Sequence, residues 1–357
     1  MFDLPAYDGH EKVTMVEDEA TGLKAIIAVH STAMGPAAGG CRLWSYNNDT
    51  AALTDALRLS RGMSYKNAMA DLPMGGGKAV ICGPVAPEHR VEVFKAFGRA
   101  VDSLGGQYIT AEDVGVSVAD MEIIATQTKY VSGLAGSEGK GGEKRAGGDP
   151  SPFTARGVRV GIQSAVRAAL NRSDIEGVRI AVQGLGHVGM YLCEELARRG
   201  ARLVVADIDA GRMAEAVERF GATAVSVDDI LLQDVDVVAP CALGGAITED
   251  TATHMSARIV AGAANNQLLT PQAGRILARR GILYAPDYVI NAGGIIMVAG
   301  EISGNNNEAD VLAAVDRIGG RLDDIFVRAQ SGEALTFEIA DQMAQSKIRV
   351  ARKLKAA

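Results

Sequence analysis

The sequence predicts an α/β protein of two domains, the second built on a parallel, doubly wound sheet. Three observations predict it. At 357 residues the chain exceeds the roughly 100–200 residues of a typical single domain. From residue 178 onward, short apolar runs alternate with segments of helical periodicity, as repeated βαβ units require. Between the halves, residues 136–148 carry six glycines (136, 139, 141, 142, 147 and 148) among Lys, Glu and Arg, with no apolar period. Domains are therefore expected at 1–135 and 151–330, with a glycine-rich linker or loop at 136–150 and a C-terminal helix at 331–357.

In chain order, residues 23–30 are rich in Ala, Ile and Val and read as a strand. Residues 51–66 place Leu53, Ala56, Leu57 and Ser60 at helical spacing, with Asp49 or Thr50 as the expected cap and Arg58, Arg61 and Lys66 towards the end, where the helix dipole favours cations. The chain is then expected to turn through Pro73 and the glycines 75–77 into a short strand at 79–81. Residues 108–110 read as a strand that delivers Glu112 and Asp113 to its end. Further strands are expected at 178–182, 203–206, 235–239, 259–261 and 282–285, and helices at 311–326 and 335–355. No internal repeat is present.

Composition narrows the function. Hydrophobic residues make up 48% and charged residues 22%, enough to bury a core without staples. A formal net charge of −7 and the lack of a basic tract argue against nucleic acid as partner. Cys41, Cys82, Cys193 and Cys241 form no C-x-x-C pair, so neither a disulfide framework nor a zinc knuckle is expected, and no metal. The first residues lack a basic flank followed by an apolar core, and no apolar stretch is long enough to span a bilayer, so a cytoplasmic protein is expected.

Gln183-Gly184-Leu185-Gly186-His187-Val188-Gly189 follows an expected strand and opens an expected helix. Each glycine has a physical task. Gly184 permits the tight turn, Gly186 lets a pyrophosphate approach the backbone at the helix N-terminus, and Gly189 allows close packing of helix on sheet. Asp207 ends the next strand eighteen residues after Gly189, where a carboxylate accepts a ribose 2′-hydroxyl and repels a 2′-phosphate. The motif points to a Rossmann domain that binds NAD rather than NADP. Turn glycines with a loop-capping aspartate are the plain alternative, but strand, spacing and acid agree. Arg212, five residues beyond Asp207, is better read as solvated than as a phosphate ligand.

Pro73-Met74-Gly75-Gly76-Gly77-Lys78 fails as a P-loop, since Leu72 stands where the first glycine belongs and Ala79 where Ser or Thr is needed. A glycine run into a lysine instead lets a backbone pack on a small ligand with an ammonium fixed beside it. Lys66 and Lys78, brought close, would lower each other's proton affinity, so one could act as a base while the other pairs with a carboxylate. Glu112 or Asp113 could shuttle a proton to nitrogen. Any one of these residues alone is better read as solvated; it is their combination with a nicotinamide site that outweighs that reading.

Four segments, residues 35–42 (GPAAGGCR), 72–78 (LPMGGGK), 110–115 (TAEDVG) and 285–294 (APDYVINAGG), give the chain a resemblance to the leucine, phenylalanine, valine and glutamate dehydrogenase family over nearly its whole length, and most to the shorter leucine and phenylalanine members. The resemblance implies an N-terminal substrate domain, a C-terminal Rossmann domain and a final helix returning to the first. It implies that Lys66 binds the substrate carboxylate with Gly39 and Gly40 beside it, that Lys78 activates water for attack on an imino carbon, and that Asp113 exchanges protons with the amine. By the same resemblance Met63, Ala38, Ala111, Ile295 and Val298 belong to the substrate, Thr154, Cys241 and Ala242 to NAD, and Asn265 to either. Leu185, His187 and Val188 join the cofactor loop. The side-chain pocket would be apolar and offer nothing to a glutamate carboxylate. Ala38, where leucine-active relatives usually carry Leu, widens it, and Ile295 narrows it. The reaction implied is reversible oxidative deamination of an apolar L-amino acid, with leucine, valine or isoleucine favoured and phenylalanine the alternative, in a homo-oligomer of two or eight chains, aided by closure of the domains.

Two other classes remain to be weighed. A non-catalytic sensor of NAD or an amino acid would share the fold, but intact Lys66, Lys78 and Asp113 count against it. A 2-hydroxy-acid dehydrogenase would want a catalytic histidine, and none of His10, His30, His89, His187 and His254 has a convincing carboxylate partner in the sequence.

Overall fold

The structure, a computed structural model, describes residues 2–134 and 145–356. Contacts divide the chain into two compact units: 1–148 with 298–307 and 343–357, and 149–297 with 308–342. Most of the expected linker, residues 136–144, lies outside the described residues. Residues 145–148 are tied into the first unit, where the Ala146 amide donates to the Asn306 carbonyl at 2.8 Å.

The first unit holds β1 (Lys12–Asp18), β2 (Leu23–Ser31), β3 (Ala37–Trp44), α1 (Asp49–Met69), β4 (Gly75–Cys82), α2 (Arg90–Asp102), β5 (Tyr108–Glu112) and α3 (Val118–Ala125). Its sheet runs β1-β2-β4-β3-β5, with β3 parallel to both β4 and β5, and β2 antiparallel to β1 and β4. Both faces are covered, so alternate residues of β4 serve different cores. Ala79 and Ile81 pack with Phe94 and Phe97 of α2, whereas Val80 packs with Ala52, Ala56 and Leu57 of α1.

Two local expectations change. The cap of α1 is Asn48, whose side chain accepts from the Ala51 amide at 2.9 Å, and the helix continues to Met69. The glycines 75–77 do not turn; they open β4. A Cβ on Gly75 would lie 1.8 Å from the Ser31 carbonyl oxygen, and one on Gly76 would lie 2.0 Å from the Ser64 amide nitrogen. The run therefore serves close packing of a strand against its neighbours.

The second unit is built from α4 (Ser151–Leu170), β6 (Arg179–Gln183), α5 (His187–Ala197), β7 (Arg202–Ala206), α6 (Ala210–Phe220), β8 (Thr223–Ala224), β9 (Val237–Pro240), α7 (Glu249–His254), β10 (Ile259–Val260), α8 (Pro271–Arg279), β11 (Leu283–Tyr284) and α9 (Asp287–Ile290). The sheet order β11-β10-β9-β6-β7-β8, parallel throughout, is the Rossmann order, with its reversal between β6 and β9. Five of the strands fall on the apolar stretches the sequence marks, their ends shifted by a residue or two, and β8 is unexpected.

Four helices follow: α10 (Gly293–Ser303), α11 (Glu308–Asp316), α12 (Ile318–Gln330) and α13 (Thr336–Ala356). The helix expected at 311–326 is two, broken at Arg317. Units and helices do not coincide at this end. α10 passes from the second unit to the first at Val298, and α13 does so at Met343. Within the second unit the Tyr288 hydroxyl donates to Asp341 at 2.8 Å, and within the first Gln345 donates to the Tyr65 hydroxyl at 2.8 Å.

Candidate active site

In the first unit, Lys78 stands on the α1 side of β4, only 6% exposed, and its Nζ lies 2.7 Å from Oδ2 of Asp113, just past the end of β5. The same oxygen accepts from Nε of Arg42 on β3 at 3.1 Å. Arg42 also reaches Asp55 of α1 at 3.0 Å, and the Tyr46 hydroxyl donates to Asp55 at 2.7 Å. Burial works to raise the pKa of Asp113, but the Lys78 ammonium and the Arg42 guanidinium outweigh it and hold the carboxyl below its ordinary value. It is an ionised acceptor at neutral pH.

Glycines make room for this pair. A Cβ on Gly40 would fall 2.8 Å from Cβ of Asp113 and 3.2 Å from Nζ of Lys78, and one on Gly39 would strike the Gly77 carbonyl oxygen at 1.8 Å and meet Met63 of α1 at 3.2 Å. Gly39, Gly40, Met63, Lys78 and Asp113 are thus brought together. Lys66 is half-buried on α1, one turn beyond Met63. Ala38 is buried on β3, paired with Gly76, and Ala111 is half-buried on β5 opposite Gly40. Of the other two residues expected near the side chain, Ile295 belongs to the second unit and Val298 to the first, both half-buried on α10. The partner the structure gives Lys78 is the Asp113 carboxylate.

In the second unit the glycine motif joins β6 to α5. Gly184 has φ +95°, and a Cβ on Gly189 would sit 2.0 Å from the Gly184 carbonyl oxygen, whereas a Cβ on Gly186 would meet nothing within 4 Å. The turn and the packing need glycine for the protein's own sake. Gly186 leaves an open approach to the N-terminus of α5, where no side chain caps the first amides. Leu185 is buried, His187 exposed and Val188 half-buried. Asp207 ends the β7 segment and is held there: its Oδ2 accepts from the Leu185 amide at 2.6 Å and its Oδ1 from the Asp209 amide at 2.8 Å. Arg212 pairs with Asp209 at 3.5 Å, on its exposed side of the fold.

Around the reversal point of the sheet, Cys241 and Ala242 follow β9, and the Cys241 amide donates to the Gln183 carbonyl at 2.7 Å. Burial pushes the Cys241 thiol up to about 12, so it stays protonated at neutral pH. The Asn265 Oδ1 accepts from Nδ2 of Asn291 at 2.8 Å. The Oδ1 of Asn291 and the Oε1 of Gln183 are buried with no hydrogen-bond partner among the described residues. These atoms and the open face of Gly186 fit a dinucleotide, whose amide and phosphates would meet them. Thr154 donates to the Pro150 carbonyl at 3.1 Å, and a Cβ on Gly294 would lie 2.8 Å from its hydroxyl, so the glycines 293–294 let α10 begin against α4.

Sequence reasoning missed Arg42, Asp55, Tyr46 and Asn291. For Arg42 a signal existed: it lies two residues after Gly40 on one strand, hence on the same face. Among the described residues no three His, Cys, Asp or Glu side chains are grouped to hold a metal, and no helix is long and apolar enough to cross a membrane.

Comparison with known proteins gives the family. Residues 8–130 match the family model "Glu/Leu/Phe/Val dehydrogenase, dimerisation domain", and residues 149–216 and 208–331 match "Glutamate/Leucine/Phenylalanine/Valine dehydrogenase". The leucine dehydrogenase of Geobacillus stearothermophilus is 46% identical over 350 residues, spanning 98% of this chain and 93% of that protein. The phenylalanine dehydrogenase of Bacillus thermotolerans is 43% identical, spanning 95% and 88%. The crystal structure of L-tryptophan dehydrogenase from Nostoc punctiforme superposes with a TM-score of 0.83 at 42% identity, covering 96% of this chain and 97% of that one.

Proposed function

Because the chain belongs to the glutamate/leucine/phenylalanine/valine dehydrogenase family, we propose that it catalyses the reversible oxidative deamination of an apolar L-amino acid, with leucine, valine or isoleucine preferred, to the 2-oxo acid and ammonia. It is an amino-acid dehydrogenase and its cofactor is NAD. The observation that carries the chemistry is the buried Lys78–Asp113 pair, 2.7 Å long, beneath Gly40.

Amino acid and water give 2-oxo acid, ammonium and a proton, and NAD, when bound, supplies the acceptor for the hydride that leaves the α-carbon. Lys66 pairs with the substrate carboxylate, and Gly39 and Gly40 let it come close to the strand. Asp113, kept ionised by Lys78 and Arg42, takes a proton from the substrate ammonium so that nitrogen can share its lone pair as hydride departs. Lys78 then orients the water that attacks the imino carbon and stabilises the charge of the carbinolamine. Met63, Ala38, Ala111, Ile295 and Val298 receive the side chain. The glycine loop Gly184, Leu185, Gly186, His187, Val188 and Gly189, together with Asp207, Thr154, Cys241, Ala242 and Asn265, holds the dinucleotide. Asp207, with both oxygens already fixed by backbone amides, favours the 2′-hydroxyl of NAD over a 2′-phosphate.

Phenylalanine is the second reading, and Ala38 supports it, because a methyl group there leaves space that a longer side chain would fill. We place the protein in the cytoplasm, where its four free thiols remain reduced, as a homo-oligomer of two or eight chains. The deciding experiment follows NADH formation with NAD and, in turn, leucine, valine, isoleucine, phenylalanine and glutamate, with Lys78→Ala as control. Turnover with a branched-chain substrate, none with glutamate and loss in the variant are expected. NAD binding without turnover of any of them would overturn the reading in favour of a sensor.

A further inference from the structure

Where β3 passes Lys78, its pairing with β4 lapses. Ala38 pairs with Gly76 and Cys41 with Ala79, and between them Gly39 and Gly40 make no ladder pair with β4 although the register is unchanged. The side-chain alternation also breaks. Ala37 and Cys41 face the α2 core, yet a Cβ on Gly39, of the same parity, would point across the sheet at the Gly77 carbonyl oxygen and Met63. The backbone at Gly39 is therefore rotated out of the pleat.

Tyr108 fills the lapse. It is fully buried on the α2 side, its ring against Gly77, and its hydroxyl donates to the Gly39 carbonyl at 2.7 Å with the Gly40 carbonyl at 3.2 Å. In a planar trans peptide the carbonyl of one residue and the N–H of the next point in opposite directions. A Gly39 carbonyl held on the α2 side thus directs the Gly40 N–H to the α1 side, where Lys78 and Asp113 lie.

We propose that Tyr108 is a positioning residue for the substrate carboxylate: its hydroxyl pins the rotated Gly39–Gly40 peptide and so presents the Gly40 N–H as an anion donor beside the Lys78–Asp113 pair. The inference rests on the amino-acid dehydrogenase reading above. It assigns to one buried phenol a task that glycine alone cannot perform, since a glycine pair allows the rotation but does not hold it.

The experiment is Tyr108→Phe, which keeps the ring and removes one oxygen. The KM for the amino acid and for its 2-oxo acid should rise about fivefold, while kcat and NAD affinity hold. Calorimetry with two substrate fragments sharpens the point: isocaproate, which has the carboxylate and no amine, should bind about fivefold more weakly, and isopentylamine, which has only the amine, should bind as before. Equal weakening of both, or of neither, overturns the proposal. Absence of turnover by the unaltered protein would refute the dehydrogenase reading instead, and the binding comparison does not depend on turnover. If the variant does not fold, amide exchange in the unaltered protein decides. Isocaproate should slow exchange at Gly40, and unchanged exchange there overturns the proposal.

Discussion

The polar cluster on β4 and the glycine loop before α5 both prepare for charged ligands, and they are made of opposite materials. The first links Lys78, Asp113, Arg42, Asp55 and Tyr46 through side-chain contacts of 2.7–3.1 Å. The second offers backbone amides, an open glycine face and a single carboxylate, Asp207, that is itself tied to backbone. Linked charges respond to pH and to one another, so removing one changes the rest. A backbone site responds to shape. The first should fail by losing chemistry and the second by losing fit.

The largest effect is expected from the charged cluster. Lys78→Ala should lower kcat by about three orders of magnitude, the range lost with a positioned acid–base group, with NADH binding intact by fluorescence. A parallel loss of NADH affinity would mean that the two sites are not separable in this way. Next comes the one charge in the backbone site. Asp207→Asn should raise the KM for NAD roughly tenfold to a hundredfold, and narrow its advantage over NADP, with kcat at saturation little changed.

Two glycines three positions apart divide the loop's own roles more finely. Gly189→Ala puts a methyl group 2.0 Å from a carbonyl oxygen and should cost about 2–3 kcal/mol of stability in urea unfolding. Gly186→Ala meets nothing in the protein, has an ordinary extended backbone at φ −64°, and should unfold like the parent. Its penalty belongs to NAD affinity, on the order of tenfold. Equal losses of stability in both variants would show that Gly186 serves the fold and not a ligand.

These differences explain what the sequence revealed. The dinucleotide site was legible because turn, helix start and ribose carboxylate follow one another within a single βαβ unit, at spacings that the backbone itself imposes. Strands such as β6 and β7 were legible as unbroken apolar runs for the same local reason. The charged cluster was not. Asp113 was marked by its place at a strand end and Arg42 only by sharing a face with Gly40, and the 71 residues between them hid that they meet. Lys78 stood out only through the glycines before it, and even these suggested a turn, because the neighbours that demand glycine, Ser31 and Ser64, come from other elements. Tyr108 looked like one more strand aromatic until its hydroxyl met the Gly39 and Gly40 carbonyls. The break at Arg317 was hidden by apolar residues that continue across it.

The smallest expected effect extends the contrast from catalysis to folding. Beneath α1, the rings of His10 and His30 meet edge to face at 4.9 Å, His30 shares a hydrogen bond of 2.8 Å with Ser64, and Asp8 stands 3.6 Å away. Burial, then the neighbouring His10, depresses His30 to about 4, despite the opposing pull of Asp8, and burial also lowers His10. A histidine held neutral in the fold but protonated near 6.5 when unfolded stabilises the native state above that pH, and the stabilisation fades as pH falls from 6.5 towards 4. The first unit should therefore lose about 1 kcal/mol between pH 7 and pH 5.5 through this group, and His30→Gln should flatten that slope in urea unfolding followed by amide exchange. Because Ser64 lies directly against Gly76 of β4, the same measurement tells whether the support under the catalytic lysine softens before the Rossmann unit does; a slope that persists in the variant would assign the acid sensitivity to the neighbouring His10.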